Sequence, residues 1–128
     1  MAQARYPAQL ILTRGCFAVA DDRGVLVDIY GALRGDDWKR KDHWVTSREI
    51  GKWYGVTVEN GKVVKLDLTR NNVQGKLPGA IGQLRHLREL RLARNKLTGN
   101  MPNTFEHLGV LTILDCAWND IRGLIPPN

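Results

Sequence analysis

The chain has 128 residues, of which 43% are apolar and 25% charged, so it is sized for one modest globular domain. Its net charge of +6 at pH 7 and pI of about 9.7 raise acidic proteins, anionic lipid and nucleic acid as partners. Basic and acidic residues are interspersed along the chain, which disfavours a dedicated nucleic-acid binder. Nothing approaches the roughly 18 consecutive apolar residues of a membrane-spanning helix.

Residues 1–20 form a poorly patterned leader, which we expect to be loose. Ala18-Val19-Ala20 is similar to a signal-peptidase site, but Arg14 and Gly15 interrupt the apolar run that a secretory signal needs. The leader therefore favours a cytoplasmic protein, with a secreted or membrane-linked ectodomain as the alternative.

An amphipathic helix is predicted from Asp21 onward, because apolar residues recur at spacings of three and four. These residues are Val25, Leu26, Ile29, Tyr30 and Leu33. Asp21 or Asp22 can cap the N-terminus of the helix, and Gly35 is predicted to end it.

A hairpin is predicted after an irregular, tryptophan-bearing stretch. Residues 55–58 have the composition of a short strand, residues 59–62 contain an Asn-Gly turn, and a second strand begins at Val63. The Asn60-Gly61 pair favours this turn because both residues tolerate positive φ.

Half of the chain is a block of 24 residues that recurs in register, at 63–86, 87–110 and, incompletely, 111–128. Each block contains an alternating apolar segment that ends in an asparagine, followed by a glycine and a proline at fixed spacing. Such repetition predicts a solenoid, in which each unit buries its apolar face by stacking on its neighbours.

The pattern inside each repeat predicts one short strand and one turn. Leu66 and Leu68 alternate with polar residues, so one face of the strand points inward, and successive strands must be parallel. The asparagine after each strand can pair with buried backbone groups, and stacked copies would form a ladder. This ladder consists of Asn71, Asn95 and Asn119. Each later proline suits the entry to a short helical turn, at 80–84 and 104–108.

Residues 63–128 resemble the plant-type leucine-rich repeat, LxxLxLxxNxLxGxIPxxLxxL, most fully in the segment LRELRLARNKLTGNMPNTFEHL. Trp53-Tyr54-Gly55-Val56 is similar to the W-x-G-V motif of the N-terminal cap of that family. The resemblance implies an α/β solenoid with parallel strands on a concave face, short helical turns on the convex side and a helical, Trp-rich cap. It divides the chain into a leader (1–20), a cap (21–62) and three repeats (63–128).

Two features depart from the family pattern. Gly51 and Val58 occupy the positions where secreted plant members carry a cap disulfide. The third repeat is incomplete at Asn128 and no C-terminal cap is recognisable, so we expect either a fragment of a longer protein or an edge that meets a partner or a second copy.

The outward strand positions are the candidate binding surface, because family members bind ligands there. They form four columns: Lys65/Glu89/Ile113, Asp67/Arg91/Asp115, Thr69/Ala93/Ala117 and Arg70/Arg94/Trp118. Charges in the first two columns can neutralise each other, whereas the last column has no carboxylate and sets a tryptophan beside arginines, as in binding hot spots. The predicted partner-binding residues are Arg70, Arg94, Trp118, Arg91, Lys65 and Thr69, and they suit an acidic partner. Simple solvation is the alternative for the last column.

The remaining conspicuous residues have structural interpretations. Trp38, Trp44 and Trp53 are predicted to plug the exposed end of the first coil rather than to stack sugars or bases. Cys116 aligns with Leu68 in its repeat, so it is predicted to be a buried small hydrophobe.

No catalytic pattern emerges from the sequence. The two cysteines and three histidines have no zinc spacing, and the single serine, Ser47, lies in no nucleophile or phosphate-binding motif. We expect no enzyme, no cofactor and no small-molecule substrate.

These observations predict a non-catalytic protein-recognition module that binds its partner on the concave strand face. A ligand-reading fragment of a receptor-like kinase, or an enzyme-inhibiting repeat protein, is the alternative within this class. A binder of nucleic acid or another anionic surface is the alternative from a different class, and a membrane would be reached only through a longer parent protein.

Overall fold

The computed structural model describes residues 22–122, so the predictions for the leader and for the end of the third repeat lie outside the described residues. The described chain contains one α-helix, α1 (Asp22–Ala32). Its strands are β1 (Val56–Glu59), β2 (Lys62–Asp67), β3 (Gln74–Lys76), β4 (Glu89–Arg91), β5 (Lys96–Asn100), β6 (Ile113–Asp115) and β7 (Asp120–Arg122). They form two sheets, with strand orders β1-β2-β4-β6 and β3-β5-β7.

Helix α1 covers the start of the solenoid with its apolar face. Val25, Leu26 and Ile29 are buried. The prediction that Gly35 ends the helix was wrong: the helix ends at Ala32, and Arg34 is the residue in the left-handed conformation, with φ 56°. Gly35 is needed for a different reason, because a Cβ there would lie 2.1 Å from the ring of Tyr30.

The predicted hairpin is present. Strands β1 and β2 pair antiparallel around a turn in which Asn60 has φ 52° and Gly61 has φ 77°. Two consecutive residues with positive φ are the signature of a type I′ turn, which matches the right-handed twist of the paired strands.

Parallel stacking of the repeats follows the period of 24. Lys65 pairs with Glu89, and Glu89 pairs with Ile113, so equivalent positions of β2, β4 and β6 lie side by side. The predicted helical turns are present as 3₁₀ turns at Gly79–Gln83 and Asn103–His107, each preceded by a proline.

The sheet formed by β3, β5 and β7 was not predicted. Its strands are parallel and lie after the ladder asparagines, with Gln74 paired to Lys96 and Thr98 paired to Asp120. These segments lack apolar alternation and contain two glycines with positive φ, Gly75 and Gly99. A search for alternating apolar and polar residues therefore does not predict them as strands. They pair because stacking of the coils brings their backbone groups together.

The interior is built mainly from leucines that recur in each coil. Leu66, Leu90 and Leu68 are fully buried, as are Leu84 and Leu87. This continuous apolar core is the expected product of stacked repeats that cannot bury their apolar faces singly. Within residues 22–122, no helix has the length and apolar character needed to cross a membrane.

Candidate functional site

Charges on the strand face pair with one another. The ammonium of Lys65 lies 3.5 Å from the carboxylate of Glu89, which also accepts a hydrogen bond from Arg91 on its own strand. Arg91 in turn approaches Asp115 at 4.0 Å. The hydrogen bond from Arg91, together with the charges of Lys65 and Arg91, holds the pKa of Glu89 below its usual value. The face is therefore internally neutralised along this row.

Asp67 lies beside Arg91 in the sheet, as expected, but none of the ion pairs among residues 22–122 includes Asp67. Its carboxylate accepts hydrogen bonds from the backbone N–H and the hydroxyl of Thr69, at 3.1 and 2.7 Å. Asp67, Thr69 and Lys65 line an open groove of about 420 Å³, whose other wall is formed by Tyr54 to Thr57. This groove is polar and lies at the end of the strand face that is next to the cap.

Arg70, Arg94 and Trp118 lie in the turns that follow the strands and not on the strands themselves. Strands β2, β4 and β6 end three residues earlier. The three residues have φ of 55°, 59° and 60°, in the left-handed region. That conformation takes the chain off the strand, so their side chains lie on a flank beside the strand face. Thr69 also lies after the end of β2.

Within this row, the structure brings Arg94 and Trp118 together. The guanidinium carbon of Arg94 is 5.2 Å from the centre of the Trp118 ring, and Trp118 is 73% exposed. Cation–π pairs of this kind hold both side chains in a defined arrangement. Among residues 22–122, the ion pairs involve neither Arg70 nor Arg94.

The asparagines after the strands bridge successive coils. The side-chain oxygen of Asn95 accepts hydrogen bonds from the backbone N–H groups of Asn71 and Val73, at 2.8 and 3.0 Å. Its amide nitrogen donates to three backbone carbonyls, including that of Leu68 in the preceding coil. Asn119 accepts from Leu97 in the same manner. The asparagines thus fix the turns that carry the flank residues.

The three cap tryptophans are buried and pack against one another. Trp38, Trp44 and Trp53 have exposed fractions of 4%, 5% and 2%, and Trp44 packs against both of the others. Each indole N–H donates to a backbone carbonyl. Their aromatic faces are used in packing, which leaves little room for ligand stacking.

Cys116 is half-buried, whereas its counterpart Leu68 is fully buried. The difference arises because Cys116 lies in the last coil of the described chain, and no described coil covers it. Burial, together with the charge of Asp115, raises the pKa of the Cys116 thiol to about 11. A protonated thiol is a poor nucleophile, so this cysteine is not set up for catalysis.

Two flank residues escaped the sequence analysis, Lys39 and Lys96. Both line a groove of about 330 Å³ together with Arg70 and Arg94. Lys39 comes from the cap, where its backbone N–H donates to the carbonyl of Asn71. No local sequence signal links Lys39 to the repeats. Lys96 could have been found from its place directly after the ladder asparagine.

No cluster of side chains suited to hold a metal ion is present in the part of the chain that the structure describes. The combined geometry is that of a short repeat solenoid with an open, polar strand face and a flank of exposed side chains. A surface of this kind defines a class of protein that binds other macromolecules over a broad area.

Comparison with known proteins identifies the repeats. Residues 62–121 match the family model described as Leucine rich repeat. Among solved structures, the ectodomain of BIR2 from Arabidopsis thaliana is 26% identical, with a TM-score of 0.75 over 85% of this chain and 60% of that one. The BIR3–SERK2 complex from the same plant contains a similar chain at 26% identity, with a TM-score of 0.68 over 83% and 60%.

The leucine-rich-repeat ectodomain of the Arabidopsis thaliana receptor kinase SOBIR1 shares the fold, with 24% identity and a TM-score of 0.67 over 84% of this chain and 59% of that one. The chain therefore spans about 60% of the length of these relatives. No curated protein sequence matches it. Residues 62–121 thus carry a leucine-rich-repeat pattern, and the fold of the described chain is similar to that of these plant ectodomains.

Proposed function

We propose that this protein is a non-catalytic recognition module that binds a protein partner through the strand face and the turns beside it. Arg94 and Trp118 are the centre of the proposed contact. The observation that carries this proposal is the 73% exposure of Trp118 while its ring stacks with the guanidinium of Arg94 at 5.2 Å.

Physical chemistry favours these two residues as an energetic centre. Tryptophan and arginine are enriched among the few residues that carry most of the binding energy of protein interfaces. Trp118 is held by a left-handed turn and by its cation–π contact, so little conformational freedom is lost when a partner covers it. Arg94 has no ion pair within residues 22–122, so binding breaks none.

The solved relatives support a receptor-like setting. They include receptor ectodomains, and one of them is the complex of BIR3 with SERK2. These relatives favour the secreted or membrane-linked alternative over the cytoplasmic one that the leader suggested. We propose that the chain is the ligand-reading or co-receptor-reading part of such a protein.

The test compares two double variants with the wild-type chain. Arg94→Glu with Trp118→Ala removes the proposed centre. The control, Arg85→Glu with Val110→Ala, makes the same charge reversal and truncates a smaller apolar side chain at exposed positions elsewhere. Partners are identified by crosslinking the wild-type chain in an extract of its own cells, and their Kd is then measured by calorimetry. We expect the first variant to lose at least about 100-fold in affinity, since two hot-spot residues contribute about 1.4 kcal/mol or more each.

Circular dichroism provides the folding control for both variants. A purified partner that binds the Arg94→Glu/Trp118→Ala variant with wild-type affinity would contradict the proposed surface. Failure to crosslink any protein, with folded chain in hand, would contradict protein recognition itself.

A further inference from the structure

A cationic groove runs along the flank beside the strand ends. It encloses about 330 Å³ and is lined by Lys39, Arg70, Asn72, Arg94, Asn95 and Lys96. Its four cations come from the cap loop, from the first two turns and from the start of β5. The groove therefore exists only in the folded chain.

None of these four cations has a carboxylate partner within residues 22–122. The ion pairs of that region involve Arg40, Lys65, Arg88 and Arg91. On the strand face next to the groove, in contrast, the cations are paired: Lys65 and Arg91 both form ion pairs with Glu89. Positive charge is thus neutralised on the face and left unpaired on the flank.

The backbone of the groove is fixed even though its side chains are exposed. The N–H groups of Arg70, Arg94 and Lys96 donate to carbonyls of neighbouring coils at 2.8–3.0 Å, and that of Lys39 donates to Asn71 at 3.1 Å. The oxygen and the nitrogen of the Asn95 side-chain amide are both hydrogen-bonded to backbone groups. Asn95 therefore forms an uncharged floor of the groove and competes little with an incoming anion for the four cations. Four cations anchored in this way create a focused positive potential.

We propose that this groove binds an acidic peptide segment of the protein partner, with carboxylate side chains seated between Lys39, Arg70, Arg94 and Lys96. The inference rests on the proposed function and specifies the chemistry of the partner. Trp118 and Arg94 at one end of the groove would contact an apolar residue next to the acidic stretch.

A short acidic peptide fits this surface better than a continuous polyanion. On the strand face beside the groove, Lys65 and Arg91 are already paired with Glu89, so this face does not extend the groove into a longer positive track for a run of phosphates. A volume of about 330 Å³ accommodates a few carboxylate side chains. Arginine pairs with carboxylates through two parallel hydrogen bonds, which adds geometric selection to the charge.

The test uses a fluorescein-labelled hexaglutamate peptide as the probe, a labelled hexaserine peptide as the neutral control and a labelled twelve-residue oligothymidine as the competing class. Binding to the full chain is followed by fluorescence anisotropy at low salt. The groove variant is Lys39→Gln with Lys96→Gln, which leaves the Arg94–Trp118 pair intact. The matched control, Lys52→Gln with Arg85→Gln, removes the same charge from exposed positions outside the groove.

We expect hexaglutamate to bind the wild type and the control variant with similar Kd, and the groove variant about tenfold more weakly, because each lost cation contributes a fraction of the 1.4 kcal/mol that corresponds to a factor of ten. Equal weakening by the groove and control variants would overturn the proposal, because it would show a response to net charge alone. Tighter binding of oligothymidine than of hexaglutamate, lost in the groove variant, would also overturn it in favour of nucleic acid.

The outcome is separable from that of the proposed function. A crosslinked partner that tolerates Lys39→Gln/Lys96→Gln but not Arg94→Glu/Trp118→Ala would refute the acidic-segment inference and leave protein recognition standing. A partner whose affinity is lowered by each of the two pairs of substitutions would support both the acidic-segment inference and the proposed function.

Discussion

The carboxylate of Asp22, in the first turn of α1, accepts a hydrogen bond at 2.8 Å from the backbone N–H of Val63, a residue that lies 41 positions further along the chain. Asp22 is 6% exposed and Val63 is fully buried. The contact ties the cap helix to strand β2, and it gives Asp22 a role across the fold where the sequence suggested a helix cap.

Replacing Asp22 with alanine is expected to destabilise the chain by about 1–3 kcal/mol, because the buried N–H of Val63 loses its acceptor. Asp22→Asn keeps a side-chain oxygen and should lose less. Asp28→Ala, at an exposed position on the same helix, is the matched control and should change little. The free energy of unfolding from urea titration distinguishes these variants. Equal stability of the Asp22→Ala and Asp28→Ala chains would contradict a structural role for the Asp22–Val63 contact.

Asn95→Ala is expected to destabilise the solenoid by about 3 kcal/mol, since the backbone N–H groups of Asn71 and Val73 are left buried without an acceptor. Asn119→Ala should cost less, because Asn119 is only half-buried and bridges fewer covered groups. Thermal unfolding of both variants provides the measurement. An unchanged Tm for Asn95→Ala would show that water replaces the side chain and that the ladder is not required.

Gly51 and Val58 are close enough for a disulfide, because a Cβ built on Gly51 lies 3.6 Å from the Cβ of Val58. We expect Gly51→Cys with Val58→Cys to form this bond under oxidising conditions and to stabilise the cap by about 2 kcal/mol, as a short closed loop allows. Mass spectrometry under non-reducing conditions detects the bond, and each single variant is a control. Two thiols that remain free in the oxidised, folded double variant would refute this juxtaposition.

The thiol of Cys116 should resist alkylation at neutral pH. Its pKa is raised to about 11, first by burial and then by Asp115, so the thiol is protonated and the reactive thiolate is scarce. In a Cys16→Ser background, the rate of reaction with iodoacetamide should rise about tenfold per pH unit and continue to rise above pH 9. The urea-unfolded chain is the control and should level off earlier. A folded-state rate that levels off near pH 8 would contradict the buried environment.

The repeat period explains why so much of the fold was accessible from sequence. Leu66, Leu90 and Leu114 recur at one position, and a strand that buries such a row must stack in register with its neighbours. The Asn60-Gly61 turn could equally be predicted from the sequence, because its chemistry is local. Strands β3, β5 and β7 were missed because their pairing depends on coils that stack, with no local pattern to signal it.

The candidate site could be predicted from the sequence only in part, because its geometry also depends on how the coils fold and stack. The sequence identified Arg70, Arg94 and Trp118 as one row without a carboxylate, since that property is set by the repeat register alone. It placed them on the strands, whereas the left-handed backbone at these residues takes them onto the flank. Local φ angles of this kind are not encoded by residue type when the residue is arginine or tryptophan.

The sequence by itself determined the repeat register, the leucine core, the ladder asparagines and the hairpin turn, because each depends on spacing or on the chemistry of adjacent residues. Only the tertiary structure decided that Lys39 of the cap joins Lys96 and the two arginines in one groove, and that Asp22 reaches Val63. Such contacts between distant segments depend on how the cap docks on the first coil, and docking is set by the shape of the whole packed core.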